Sequence, residues 1–202
     1  MVFLIAGCTF GRPELYYPSG ITLNPKTGDI YVSDSSNNRI MQYRYPYESS
    51  WGTVVAGGNG YGYNNTQLSN PVGLYFDSST NSLLIANKDA HNIVRWVLGA
   101  SNWTLVAGSN NGIQGTTSTL LSFPNDVILD SMGNIYVADG GNSRVQFFLA
   151  GQSNGTTIAG VTATPGGNAI LLSSPSSLVL DRQLNLYVSD TGNQRVQKFT
   201  RL

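Results

Sequence analysis

Gly133-Asn-Ile-Tyr-Val-Ala-Asp139, followed after two glycines by Asn142-Ser-Arg-Val-Gln-Phe-Phe148, decides how this chain folds. Each half is strand-length and rich in β-branched and aromatic residues, and the Gly/Asn/Ser cluster between them is a turn, so the pair reads as an antiparallel hairpin. The same text recurs. Gly28-Asp-Ile-Tyr-Val-Ser-Asp34 leads to Asn37-Asn-Arg-Ile-Met-Gln-Tyr43, and further copies end their first half at Asn87 and Asp190 and open their second at Asn92 and Arg195. A proline-led apolar stretch precedes each hairpin, at Pro18, Pro71, Pro124 and Pro175, which sets periods of 53, 53 and 51 residues. A further stretch ends in Ala-Gly at Gly57, Gly108 and Gly160, and also at Gly7.

Each copy therefore holds four short strands, and the repeats span approximately 18–57, 71–108, 124–160 and 175–202 of one domain covering residues 1–202. A four-stranded sheet of this size cannot bury both faces alone, so it must stack on its neighbours, and a β-propeller arranges such sheets radially. The expected fold is all-β, a propeller of four-stranded antiparallel blades. Phe3 to Gly7 has the form of an outermost strand, so residues 2–7 are expected to complete the last blade if the four blades close into a ring. The alternative is a segment of a larger propeller.

The residues resemble the NHL repeat, whose pattern runs approximately Pro-x-Gly-Ile-x-Val-Asp, Gly-Asn-Ile-Tyr-Val-Ala-Asp, Asn-x-Arg-Ile/Val-x-x-Phe. The stretch from Gly133 to Phe148 is similar to it almost letter for letter. The resemblance implies that the post-proline strand is innermost and the Ala-Gly strand outermost. It also implies six blades as the usual number.

Eleven basic residues balance eleven acidic ones in 202, so no global field gathers nucleic-acid phosphates or an anionic membrane. A single cysteine, Cys8, and a single histidine, His91, exclude an internal disulfide and a multi-histidine metal site. No apolar run approaches the roughly 18 residues of a membrane-spanning helix. Ile5-Ala6-Gly7-Cys8 has the letters of a lipoprotein cleavage box, but no basic leader precedes it and Ala6-Gly7 fills a repeat slot.

Asp34, Asp139 and Asp190, with Asn87 in the same slot, form an acidic series that a metal could use. The structural reading is preferred, because each ends a strand before a turn and Arg39, Arg144 and Arg195 follow five residues later, within reach across the hairpin. The second copy changes both slots together, to Asn87 and Asn92, as a lost pair would. His91 is expected to face solvent from a polar turn. The lyase that cleaves peptidyl-hydroxyglycine, an NHL-like enzyme, uses several histidines around zinc, which this chain does not supply.

Lactonase-type propellers place Glu, Asn and Asp at the channel mouth, and the matching positions here offer only Asn125 and Asp126. These are the candidate polar site, with Asp126 the candidate for a calcium ligand; two donors from one blade fall short of a cation shell. Tyr43, Tyr45, Tyr47, Trp51, Trp96 and Trp103 are expected to pack between outer strands, and Tyr61 and Tyr63 sit in a Gly/Asn/Tyr loop suited to contact. Asn64, Asn102 and Asn154 each open an Asn-x-Thr tripeptide and lean the location towards the extracellular side. The expected function is a non-catalytic binding or scaffold module for a protein, peptide or glycan. Alternatives are a calcium-dependent hydrolase or lyase and, by resemblance, the substrate- or RNA-binding end of a tripartite-motif ubiquitin ligase; neutral charge disfavours RNA.

Overall fold

The computed structural model describes residues 14–46 and 52–200. The expected strand at 2–7, Cys8, Tyr47 and Trp51 lie outside them.

The chain is an all-β propeller with four blades. The first consists of β1 (Pro18–Leu23), β2 (Ile30–Asp34), β3 (Arg39–Tyr43) and β4 (Thr53–Gly57). The second holds β5 (Pro71–Asp77), β6 (Ser82–Asn87), β7 (Asn92–Val97) and β8 (Thr104–Gly108). The third holds β9 (Pro124–Leu129), β10 (Ile135–Asp139), β11 (Arg144–Phe148) and β12 (Thr156–Gly160). In the fourth, β13 (Pro175–Leu180), β14 (Leu186–Asp190) and β15 (Arg195–Phe199) form a three-stranded sheet among the described residues. Every neighbouring pair is antiparallel and in chain order.

The blades bury each other, as their apolar middle strands require. In β6, Leu83 and Ile85 turn one way onto Tyr31, Ile40 and Ala56 of the first blade. Leu84 and Ala86 turn the other way onto Val127, Ile135 and Val137 of the third. A third core joins Tyr136, Ala138 and Val145 to Leu178, Leu186 and Val188. Side chains alternate across a strand, so a strand apolar on both faces is stable only between two sheets.

The connections between blades contribute too. Leu68, Leu121 and Leu172 each insert fully buried into a core. The Ala-Gly strand ending has its own reason: a methyl group on Gly57, Gly108 or Gly160, all at positive φ, would stand within 2.5 Å of the carbonyl oxygen of Asn38, His91 or Ser143 respectively.

The inner strands lie side by side, β1 with β5, β5 with β9 and β9 with β13, and no contact of comparable extent joins β13 to β1. Ile21 and Leu23 of the first blade and Val179 and Val196 of the last are exposed. Among the described residues the fan of blades is thus open between first and last.

Candidate functional site

At one end of the blades a repeated polar tie joins each hairpin to the connection before it. Asp34, Asp139 and Asp190 are fully buried, and each pairs directly across its hairpin with an arginine. The Nε–Oδ2 distances are 2.6 Å for Arg39, 2.8 Å for Arg144 and 2.7 Å for Arg195. The other carboxylate oxygen accepts a backbone N–H from Tyr16, Ser122 or Ser173, at 2.6–2.7 Å.

Arg144 then forks onto the carbonyls of Thr116, Thr117 and Leu120, and Arg195 onto those of Gly167, Asn168 and Leu171. Carboxylate and guanidinium together hold the interblade loop down, a detail the spacing did not reveal. The pairs of the third and fourth blades differ in electrostatics. Burial pushes the Asp139 carboxyl up despite its three donors, the Ser122 amide, Asn142 and Arg144. At Asp190 burial pushes the same way but is outweighed by Asn193, the Ser173 amide, Arg195 and Gln197, and the group lies below its usual range.

The second blade keeps the tie without the charges. Asn87 Oδ1 accepts from the Ser69 amide at 2.6 Å, and Asn92 donates to the Ser109 carbonyl at 2.6 Å. What stands in for the arginine is Trp103, whose Nε1 donates to the Gln67 carbonyl at 2.8 Å, the counterpart of the Leu120 and Leu171 carbonyls. Asn87 Nδ2 and Asn92 Oδ1 remain buried without partners. This blade carries its ion pair at the opposite end, where Arg95 meets Asp77 at 2.6 Å and Ser79 and Thr80 also donate to the carboxylate. Those hydrogen bonds outweigh burial and hold Asp77 well below the usual carboxylate range.

His91 is not solvent-facing as expected; it is 8% exposed. Three residues of 3-10 turn precede it, and it takes the left-handed conformation at φ 55°, as Asn38 does at φ 51°. Its Nδ1 accepts the Phe123 amide at 3.1 Å, and its ring meets the Phe123 ring edge-on. Asn38 Oδ1 makes the same bridge one blade earlier, to the Asn70 amide at 2.8 Å. An acceptor at this left-handed position ties one blade to the next.

A pH dependence follows. Burial lowers the His91 pKa, with Asp89 acting the other way. The unfolded chain then binds the proton more readily, so the stability His91 contributes is present above its ordinary value of about 6.5 and is lost as pH falls below it. The midpoint of urea unfolding should drop between pH 7 and pH 5.5. His91→Asn, copying Asn38, should flatten that drop; a drop unchanged in the variant would assign it to other groups.

Among the inner strands, Ser19, Asn125, Asp126, Ser176 and Ser177 line a cavity of about 550 Å³ together with Ile21, Leu74 and Ile128. Asp126 is half-buried and already engaged: its oxygens accept the Val127 amide at 2.9 Å, the Leu178 amide at 2.9 Å and the Ser177 hydroxyl at 3.0 Å. Burial raises its pKa and these three donors partly offset that. Asn125 donates to the Pro175 carbonyl at 2.9 Å. Both residues thus brace the third blade against the fourth. Gly73 occupies the equivalent slot one blade earlier because a methyl group there would lie 2.5 Å from the Asp126 Cα. Among the described residues no three His, Cys, Asp or Glu side chains lie close enough to hold a metal ion.

The 3-10 turns and interblade loops share one end of the blades, as the bonds Ser36 N to Tyr16 O, Lys88 N to Asn70 O and Gly141 N to Ser122 O show. Exposed aromatics gather here: Tyr16, Tyr17, Tyr61, Tyr63 and Phe123. Tyr61 and Tyr63 meet edge-on with hydroxyls 3.4 Å apart, and this hydrogen bond, more than burial, pushes the Tyr61 phenol up to about 12. Their loop is fastened by Gln67 to the Asn59 carbonyl, Ser69 to the Gly62 carbonyl and the indole of Trp103. Tyr43, Trp96 and Trp103 are buried, whereas Tyr45 is 63% exposed. Asn64, Asn102 and Asn154 are all exposed.

The NHL repeat model matches residues 15–43, 121–148 and 172–199, the three copies that retain the aspartate and the arginine. NHL repeat-containing protein 3 of Mus musculus is 27% identical over 246 residues, which take in 95% of this chain and 67% of that protein. An auxiliary nutrient binding protein from Bacteroides thetaiotaomicron superposes with a TM-score of 0.69 at 19% identity, over 89% of this chain and 46% of that one. A gluconolactonase from Xanthomonas campestris superposes at 0.68 with 18% identity, over 92% of this chain and 58% of that one. The chain spans about half the length of such structures, and at these identities the likeness is one of fold.

Proposed function

We propose that this chain, an NHL-repeat β-propeller protein, works by holding a protein, peptide or glycan partner on the blade end that carries Tyr61, Tyr63 and Phe123. One observation carries the reading: exposed aromatic side chains stand on loops that are themselves fastened to buried polar ties. Tyrosine offers large contact area at small entropic cost, and a fastened loop loses little freedom on binding. Phe123 and Tyr17 hold left-handed backbone at φ 46° and 50°, a conformation that bulky residues keep only where their surroundings impose it.

The cavity among the inner strands and the gluconolactonase-like fold favour a second reading, hydrolysis at Asp126 with calcium. The three donors on that carboxylate speak for bracing instead.

Arrays of oligosaccharides and of peptides, probed with the intact chain, test both. Retention on at least one array is expected, with Tyr61→Ala/Tyr63→Ala weakening it at least tenfold while the melting temperature holds. No retention on either, or retention indifferent to the double substitution, overturns the binding reading. Gluconolactone turnover that needs calcium and vanishes in Asp126→Ala would replace it with the hydrolase.

A further inference from the structure

Asn102-Trp103-Thr104 and Asn154-Gly155-Thr156 fill one slot of the repeat, the turn that runs into the outermost strand, with the threonine as first residue of β8 and β12. In both, the middle residue is buried and the flanking asparagine and threonine are exposed. That is the alternation of extended chain, which sends residues i and i+2 to the same side. Asparagine amide and threonine hydroxyl therefore emerge together, on the outer rim, and among the described residues neither asparagine side chain takes part in a hydrogen bond. Asn64-Asn65-Thr66 is built otherwise: all three residues are exposed, and the Asn64 carbonyl accepts the Gln67 amide across a turn at 2.8 Å. It also adjoins Tyr63.

We propose that Asn102 and Asn154 are N-glycosylated and that Asn64 is not. The donor is a polyprenyl-diphosphate oligosaccharide, presented by a membrane-bound transferase. The amide nitrogen bonds to the anomeric carbon as the anomeric carbon–oxygen bond breaks; the polyprenyl diphosphate leaves with the bonding pair and the amide proton passes to a base of the transferase. Two glycans then cover the outer rim of the second and third blades and leave the loop end open to a partner. The assignment rests on strand geometry and stands apart from the binding role.

The protein isolated from its own cells is digested, and the peptides are treated with peptide-N-glycosidase in heavy-oxygen water, which converts each glycosylated asparagine to labelled aspartate. Label is expected at residues 102 and 154 and absent at 64. In the chain re-expressed in the same cells, Asn102→Gln and Thr104→Ala should each remove one glycan, and Asn154→Gln the other. Absence of label from residue 102 or from residue 154 overturns the proposal, and label at Asn64 overturns the selection by local geometry.

Discussion

Asp139→Ala is expected to lower the free energy of unfolding by about 3–5 kcal/mol, the cost typical of breaking a buried ion pair from one side. The substitution strands the Arg144 guanidinium, 3% exposed, among groups that cannot neutralise it, and it frees the Ser122 amide and Asn142. The cost should grade with the burial of the partner. Arg39 is 16% exposed and Arg195 30% exposed, so Asp34→Ala and Asp190→Ala should follow in that order, because water can solvate a stranded guanidinium that reaches it. Asp139→Ala/Arg144→Ala should cost less than the sum of the single changes, since the two groups share one network. Urea midpoints at constant slope provide the measurement. A loss below about 1 kcal/mol for Asp139→Ala, or an order unrelated to arginine exposure, would refute this account of the tie.

Trp103→Ala should cost about 3–5 kcal/mol, the range for deleting a large buried aromatic. The indole is 7% exposed, packs in the core between the first and second blades and donates to the Gln67 carbonyl. Trp103→Phe keeps most of the packing and loses the donor, so it should cost about 1 kcal/mol more than a neutral change. The two variants should differ in a second way. Only the alanine releases the loop at 58–70, which should become the first site of limited proteolysis, and with it the presentation of Tyr61 and Tyr63. If cleavage begins elsewhere, the loop is held by Gln67 and Ser69 without help from the indole.

Much of the polar tie is visible in the letters. A carboxylate at a strand end with an arginine five residues on already specifies a hairpin whose closing pair bears opposite charges. The coordinated change to Asn87 and Asn92 equally marks the pair as one unit. What those letters leave out is the third party. The arginine forks reach carbonyls 24 to 28 residues upstream, and backbone carbonyls have no sequence signature. Trp103 was readable only as a packing aromatic, because its role depends on a loop more than 30 residues away.

The same limit explains His91. A polar turn in a sequence implies exposure, yet here the next blade closes over the turn and converts a surface side chain into an interblade acceptor. Asn125 and Asp126 were legible as the polar pair at the channel, but their engagement by the fourth blade was not. Tyr61 and Tyr63 were recognisable as a loop surface, and their packing against each other and near Gly112 came from the fold.

By itself the sequence determined the blade: strand number, hairpin register, the proline that opens each inner strand and the Ala-Gly that ends each outer one. All of these are local, set by side-chain alternation and turn chemistry within about 50 residues. Only the tertiary structure decided which polar groups are satisfied and which aromatics stay in water, because each of those outcomes depends on the blade next door, and a repeat does not carry its neighbour's backbone in its own letters.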